Sequence, residues 1–200
     1  MKIIECAQNT LEWFQARIGI PTSSNFDKIL DASGKPSKQR EKYLYQLAGE
    51  LVAGKSEETY QNAAMLRGIE LEAEARAFYE FTNSVQVQQV GFCLTEGKTI
   101  FGASPDGLVG KDGAIEIKCP LIYTHVGYLL NDQKLPTTYF QQVQGQLLVT
   151  ERKWVDFISY YAGLKPMVVR VIPDKEFQTK LQTELDLFCK ELKEIVSKIK

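Results

Sequence analysis

Apolar and polar positions follow two periods along this chain, one near 3.6 residues and one of 2, and the switches between them mark out its elements. Thr10 ahead of Leu11, Trp13, Phe14 and Arg17 reads as a short capped helix, ended by Ile18-Gly19-Ile20-Pro21. Ser24 then takes an N-cap position, with Asp27 three residues on and Phe26, Ile29 and Leu30 as the apolar set. Residues 31–42 form a polar loop broken by Gly34 and Pro36, with basic residues at Lys35, Lys38, Arg40 and Lys42. Helical spacing returns through Leu44, Leu47, Ala48 and Leu51 and stops at Gly54. A longer helix is predicted from about residue 62 to 81, with Leu66, Ile69, Ala73, Ala77 and Phe81 facing the core.

The middle of the chain changes to strand period. Residues 85–90, 92–94 and 99–103 read as an antiparallel meander, with a turn at Glu96-Gly97-Lys98. After Pro120 come a short helix and a loop carrying the only histidine, His125, which reads as structural. Residues 139–150 return to helix, with Phe140, Val143, Leu147 and Leu148 on the apolar face. Two further strands, 154–161 and 167–172, precede an amphipathic helix from Lys175 that carries Phe177, Leu181, Leu185, Phe188, Leu192, Ile195 and Ile199. That last stripe is expected to cover the chain's own core, with an oligomer seam as the alternative. No internal repeat or low-complexity run divides the chain, so one domain over residues 1–200 is expected.

The chemistry concentrates in Ser104-Pro105-Asp106-Gly107 and Ile115-Glu116-Ile117-Lys118, separated by the turn-rich Gly110-Lys111-Asp112-Gly113. In a strand, Glu116 and Lys118 point to one face and Ile115, Ile117 and Cys119 to the other. Folding the hairpin back brings Asp106 toward Glu116. Two close carboxylates repel, and a divalent cation is the usual compensation. Oxygen ligands beside a lysine suit Mg²⁺, which keeps several waters and favours carboxylate plus substrate phosphate. An arbitrary E-x-K strand more often carries a solvated ion pair; the preceding S-P-D-G shifts the reading toward a site.

Composition excludes several alternatives. A net charge of −1 and a pI near 6.0 give no bulk attraction to nucleic acid, so any DNA contact must rest on a local basic lining. Cys6, Cys93, Cys119 and Cys189 lie far apart, which suggests neither a zinc site nor a disulfide framework. The lone histidine excludes His-rich metal chemistry. With no signal peptide and no membrane-length apolar run, a reducing cytoplasm is expected. Arg17 with a helix start at Ser24 offers a guanidinium fork and unpaired N–H groups for an anion, or simply a surface arginine beside a capped helix. Gln142 and Gln146 share one face of their helix, where amides can hydrogen-bond a water or a phosphate oxygen without adding charge.

Taken in order, the chain resembles the lambda exonuclease or YqaJ-type viral recombinase branch of the PD-(D/E)xK nucleases. The matching pieces are Trp13-x-x-x-Arg17-x-Gly19, Thr22-Ser23-Ser24, Arg67-Gly68-x-x-x-Glu72, Ser104-Pro105-Asp106-Gly107, Glu116-x-Lys118-Cys119-Pro120 and Tyr139-Phe140-Gln141-Gln142-Val143-Gln144. Each is weak alone; together they span residues 13–150 in the family's order.

The resemblance implies an α/β fold with a restriction-endonuclease-like core, a mixed and largely antiparallel sheet flanked by helices. It implies a Mg²⁺-dependent exonuclease, with Mn²⁺ as a substitute and two ions, that degrades the 5′-ended strand of duplex DNA from its ends. Asp106 and Glu116 would bind metal with the Ile117 carbonyl, Glu72 would assist, and Lys118 with Gln142 would act on the attacking water. Arg17, Ser24 and Ser104 would anchor the 5′-phosphate, and Met65 would wedge into the duplex end. Gln144 is a secondary candidate, and Gln146 lies outside the shared motif. A ring-shaped homotrimer and a single-strand annealing protein as partner are implied as well. Two alternatives stand beside this reading: a sequence-specific endonuclease on the same core, and a non-catalytic DNA-end-binding scaffold.

Overall fold

Thr10 caps the first helix as its position predicts, its hydroxyl accepting from the Trp13 N–H. The structure, a computed structural model, describes residues 1–56, 63–132 and 134–200, with the backbone alone for 63–66 and 69. In chain order the elements are β1 (Lys2–Ile4), α1 (Leu11–Arg17), a 3-10 helix (Ser23–Lys28), α2 (Arg40–Ala53), α3 (Ala63–Asn83), β2 (Val87–Gln88), β3 (Phe92–Leu94), β4 (Gly102–Ala103), β5 (Gly107–Val109), β6 (Gly113–Lys118) and α4 (Ile122–Leu130). A second 3-10 turn (Thr137–Tyr139), α5 (Phe140–Thr150), β7 (Trp154–Ser159), β8 (Met167–Val171) and α6 (Lys175–Ile199) complete it.

The strands form two sheets, β1-β3-β4 and β2-β5-β6-β7-β8. Every pair is antiparallel except β6 with β7, which run parallel with Glu116 beside Phe157. A parallel pair needs a crossover. Here α4 and α5 supply it, so α5 returns across the strands that precede it. Gly145 lets α5 approach the first 3-10 helix closely: a Cβ there would stand 2.4 Å from Phe26 Cδ2.

Side-chain alternation gives the sheet two apolar faces. On one, Val143 and Leu147 of α5 pack with Phe157, Ala114 and the stripe of α6. On the other, Ala75 and Tyr79 of α3 meet Ile115, Ile117 and Ile158. Phe177, Leu181, Leu185, Phe188 and Leu192 of α6 are all buried, so this helix does cover its own core, each side chain contributing about 1.5–3 kcal/mol. His125 is fully buried and structural: its Nε2–H donates to the Lys165 carbonyl at 3.0 Å and its Nδ1 pairs with Ser159 Oγ at 2.7 Å.

Five expectations change. The core face of α3 is set by Ala75 and Tyr79, whereas Ala73 and Ala77 are exposed and Phe81 is 87% exposed; Leu66 and Ile69 of that predicted stripe lie outside the described side chains. A helix offers several three-to-four-residue apolar stripes, and the sheet selected the one whose tyrosine hydroxyl reaches Asp156 Oδ2, at 2.6 Å. Ser24 is not an N-cap. Thr22 holds that position, and the helix is a six-residue 3-10 segment with Ser24 exposed in its first turn. The meander divides between two sheets, and strand 85–90 contracts to β2. Arg40 belongs to α2, where both guanidinium amino groups bond Glu191, at 2.7 and 3.0 Å, rather than to a free basic loop. Ile199, at the end of α6, is exposed.

Candidate active site

Strand register brings the carboxylates together. β5 and β6 pair Gly107 with Ile115, and Asp106, one residue before β5, comes close enough to Glu116 for the two carboxylates to repel. The Asp106 N–H donates to the Ile115 carbonyl at 3.1 Å, and the Ile117 N–H donates back to Asp106 Oδ2 at 2.5 Å. The hairpin thus fixes the Asp106 carboxylate through backbone groups.

Glu116 is 1% exposed. Its Oε1 accepts from Gln142 Nε2 at 2.6 Å and pairs with Lys118 Nζ at 2.5 Å, while Oε2 accepts from Gln146 Nε2. The two glutamines stand one turn apart on α5, so the crossover helix lays an amide on each oxygen. Gln146, set aside on motif grounds, is completely buried and belongs to this cluster. The i,i+4 spacing from Gln142 was the available signal for it. Gln144 is different: its Nε2 donates to the Ile172 carbonyl and its Oε1 accepts from the Asp174 N–H, tying α5 to the start of α6.

Glu72 approaches from α3, where Arg76 Nη2 donates to its Oε1. Arg76 was not singled out by sequence; the i,i+4 spacing is its only cue. With the Gln89 amide turned to suit, its oxygen accepts from Arg76 Nη1 and Nη2 at 2.9 and 3.2 Å. Glu72, Arg76, Gln89 and Asp106 line a cleft of about 320 Å³ together with Gln8.

The charges perturb one another. Burial, then repulsion from Glu116 and Glu72, pushes the Asp106 carboxyl well above the usual carboxylate range. Burial also raises Glu72, opposed by Arg76 and reinforced by Glu116. Burial alone would lower Lys118, but the Glu116 and Asp106 carboxylates outweigh it and hold the ammonium protonated. Burial raises the Cys119 thiol to about 11, which leaves it inert.

A second polar cluster adjoins the first through the same S-P-D-G loop. Ser104 Oγ accepts from Trp13 Nε1 at 3.0 Å and from Arg17 Nη1 at 3.3 Å. Arg17 lies 4.0 Å over the Trp13 ring, and its Nη2 reaches Thr22 Oγ1 at 3.5 Å. Ser24 Oγ is 3.2 Å from the same Thr22 oxygen. Arg17, Ser24 and Ser104 are therefore brought together, with Thr22 and Trp13 as members that were not named among the site residues. Arg67 instead clasps the chain after β6, donating to the Pro120 carbonyl at 3.1 Å. Met65 lies outside the described side chains.

Among the described residues no group of three or more His, Cys, Asp or Glu side chains is arranged to enclose a metal ion. Neighbouring carboxylates do suit Mg²⁺, which binds through one or two of them and fills its octahedron with water and substrate phosphate. The absence of sulfur and imidazole ligands disfavours zinc.

A mixed sheet with an aspartate before one strand, E-x-K on its hairpin partner and a glutamate on the flanking helix is a PD-(D/E)xK-like core. Residues 12–153 match the YqaJ-like viral recombinase domain, and the chain belongs to that family. Its structure is similar to that of an alkaline exonuclease from Laribacter hongkongensis, at 35% identity and a TM-score of 0.85, over 95% of this chain and 96% of that one. A complex of that exonuclease with dAMP matches at 36% identity and a TM-score of 0.86, with the same coverage. A phage-related exonuclease from Haemophilus somnus shares the fold at 16% identity and a TM-score of 0.67, over 90% of this chain and 96% of that one. A protein of Acanthamoeba polyphaga mimivirus is 29% identical over 171 residues; the match covers 79% of this chain and 30% of that relative's length.

Proposed function

We propose that the chain is a single-domain, Mg²⁺-dependent exonuclease that enters duplex DNA at its ends and degrades the 5′-ended strand, leaving a 3′ tail for recombination by strand annealing. The carrying observation is the hairpin's gathering of Asp106 beside the Glu116–Lys118 pair, in a chain that is 35% identical to an alkaline exonuclease along almost its full length. Asp106, Glu116 and the Ile117 carbonyl would hold the metal, Mg²⁺ or Mn²⁺ and in two ions, with Glu72 assisting. When bound, the metal supplies charge stabilisation to the attacking and leaving oxygens at phosphorus. Lys118, held protonated between two carboxylates, orients the attacking water or a phosphate oxygen. Gln142 fixes the Glu116 carboxylate beside it. Arg17, Thr22, Ser24 and Ser104 receive the terminal 5′-phosphate, Arg17 through its flat fork stacked on Trp13. Met65 would wedge into the duplex end. A homotrimeric ring around DNA and an annealing-protein partner belong to the same proposal. Enclosure would hold a chain of net charge −1 on a polyanion.

The test is Mg²⁺-dependent digestion of linear duplex with 5′-phosphate or 5′-hydroxyl ends, beside a covalently closed circle. Release of mononucleotides from the phosphorylated linear DNA alone is expected. Cutting of the circle would make the protein an endonuclease, and end binding without hydrolysis would make it a scaffold. Light scattering at micromolar concentration addresses the ring: a monomer would refute it.

A further inference from the structure

We infer that Gln146 is a positioning residue for Glu116, kept for the site rather than for the fold. The inference rests on the proposed metal role of Glu116. Gln146 has no exposed surface, and its Nε2 donates to Glu116 Oε2. Its own Oε1 is buried with no hydrogen-bond partner. A buried carbonyl without a partner is a liability that an apolar side chain of the same volume would remove. The other buried amides of α5 serve the backbone: Gln144 bonds the Ile172 carbonyl and the Asp174 N–H, and Gln141, whose Oε1 also lacks a partner, donates to the Leu30 carbonyl. Gln146 satisfies one end only, and that end is on the carboxylate.

An ionised carboxylate offers about four lone-pair sites. Gln142 and Lys118 take those of Oε1, and Gln146 takes one of Oε2. Among the described residues no other side chain bonds Oε2, so its remaining position is where a cation would be met, in a plane that the Gln146 bond sets. As a neutral donor, Gln146 does this without adding a positive charge that would repel the ion, unlike Lys118 at the other oxygen. Outer partners of this kind typically change metal affinity by about 10- to 100-fold when removed.

The test compares the wild type with Gln146→Met, an unbranched side chain of similar size, by calorimetric titration of the metal-stripped proteins with Mn²⁺ and by thermal melting without metal. The expected result is an affinity about 10-fold weaker, with a melting temperature modestly below that of the wild type because Glu116 Oε2 loses a donor. An affinity within twofold of the wild type, or a lower melting temperature with unchanged affinity, would make Gln146 structural and overturn the assignment. Gln146→Leu repeats the measurement if the methionine variant does not fold. Failure of the wild type itself to bind Mn²⁺ would overturn both the metal reading and the role built on it. Gln144→Met is the control for an amide that ties helix to strand, expected to lower the melting temperature and leave Mn²⁺ affinity unchanged.

Discussion

Asp106 is expected to be bad for the stability of the metal-free fold, and Asp106→Asn should show it. The substitution keeps the shape and leaves an oxygen to accept from the Ile117 N–H, but removes a charge that Glu116 repels. Two unit charges about 5 Å apart at an effective dielectric near 20 repel by about 3 kcal/mol. Against this stand a charge-assisted hydrogen bond weakened by about 1 kcal/mol and a lost attraction to Lys118. The net expectation is a gain of about 1–2 kcal/mol, or about 2–8 °C in melting temperature for a chain of this size. The sign follows from linkage. The folded-state pKa of Asp106 is raised above its unfolded value, so its unfavourable contribution is complete above the folded pKa and absent below the unfolded one. Thermal melts of both proteins in chelator, from pH 8 down to pH 4, should show the variant's advantage shrinking as the pH falls. Added Mg²⁺ should raise the wild-type melting temperature and leave the variant unmoved. A variant less stable than the wild type at pH 8 without metal would refute the argument, because Asp106 would then be a net stabiliser of the hairpin.

Other outcomes follow from the same geometry. Lys118→Met should abolish hydrolysis while leaving DNA-end binding measurable by fluorescence anisotropy; full activity would remove the hairpin from the mechanism. Arg17→Ala should erase the preference for 5′-phosphorylated over 5′-hydroxyl ends in a digestion assay, and a variant that still discriminates would place the anion pocket elsewhere. Tyr79→Phe removes a donor to buried Asp156 but leaves Arg170 on both carboxylate oxygens, so a modest loss of about 1–2 kcal/mol in urea unfolding is expected. A loss above 4 kcal/mol would mean that the tyrosine carries the network alone.

The elements were legible in sequence wherever a periodic run was long or ended in a specific cap. Thr10 and Gly54 bound their helices, and the stripe of α6 buries from Phe177 through Leu192. Local pattern failed where tertiary choice decided. Phe81 fits a helical stripe as well as Tyr79 does, and only the sheet's demand for a donor to Asp156 separates them. The parallel pairing of β6 with β7 has no signature in either strand, since it depends on the crossover between them. The hairpin carboxylates were readable because turn residues and a two-residue period fix the pair locally. Gln146, though seen to share a face with Gln142, was left out of the site and Arg76 was not singled out, because neither sits in a motif and i,i+4 spacing on a helix is common.

The crossover also sets an order of assembly. The β5–β6 hairpin closes over three residues and needs nothing else, so Asp106 and Glu116 can come together early in synthesis. The amides that accommodate Glu116 lie 26 and 30 residues further on. Until α5 has been made and has swung back across the strands, the hairpin has Lys118 as its only local counter-charge and is most stable in water. Burial of the carboxylates is therefore a late, long-range event that waits for loop closure, and the slow step of folding is expected to be docking of α5. A ribosome-bound chain stopped before Phe140 would hold its acidic pair open to solvent, and would bury it only once that helix had docked.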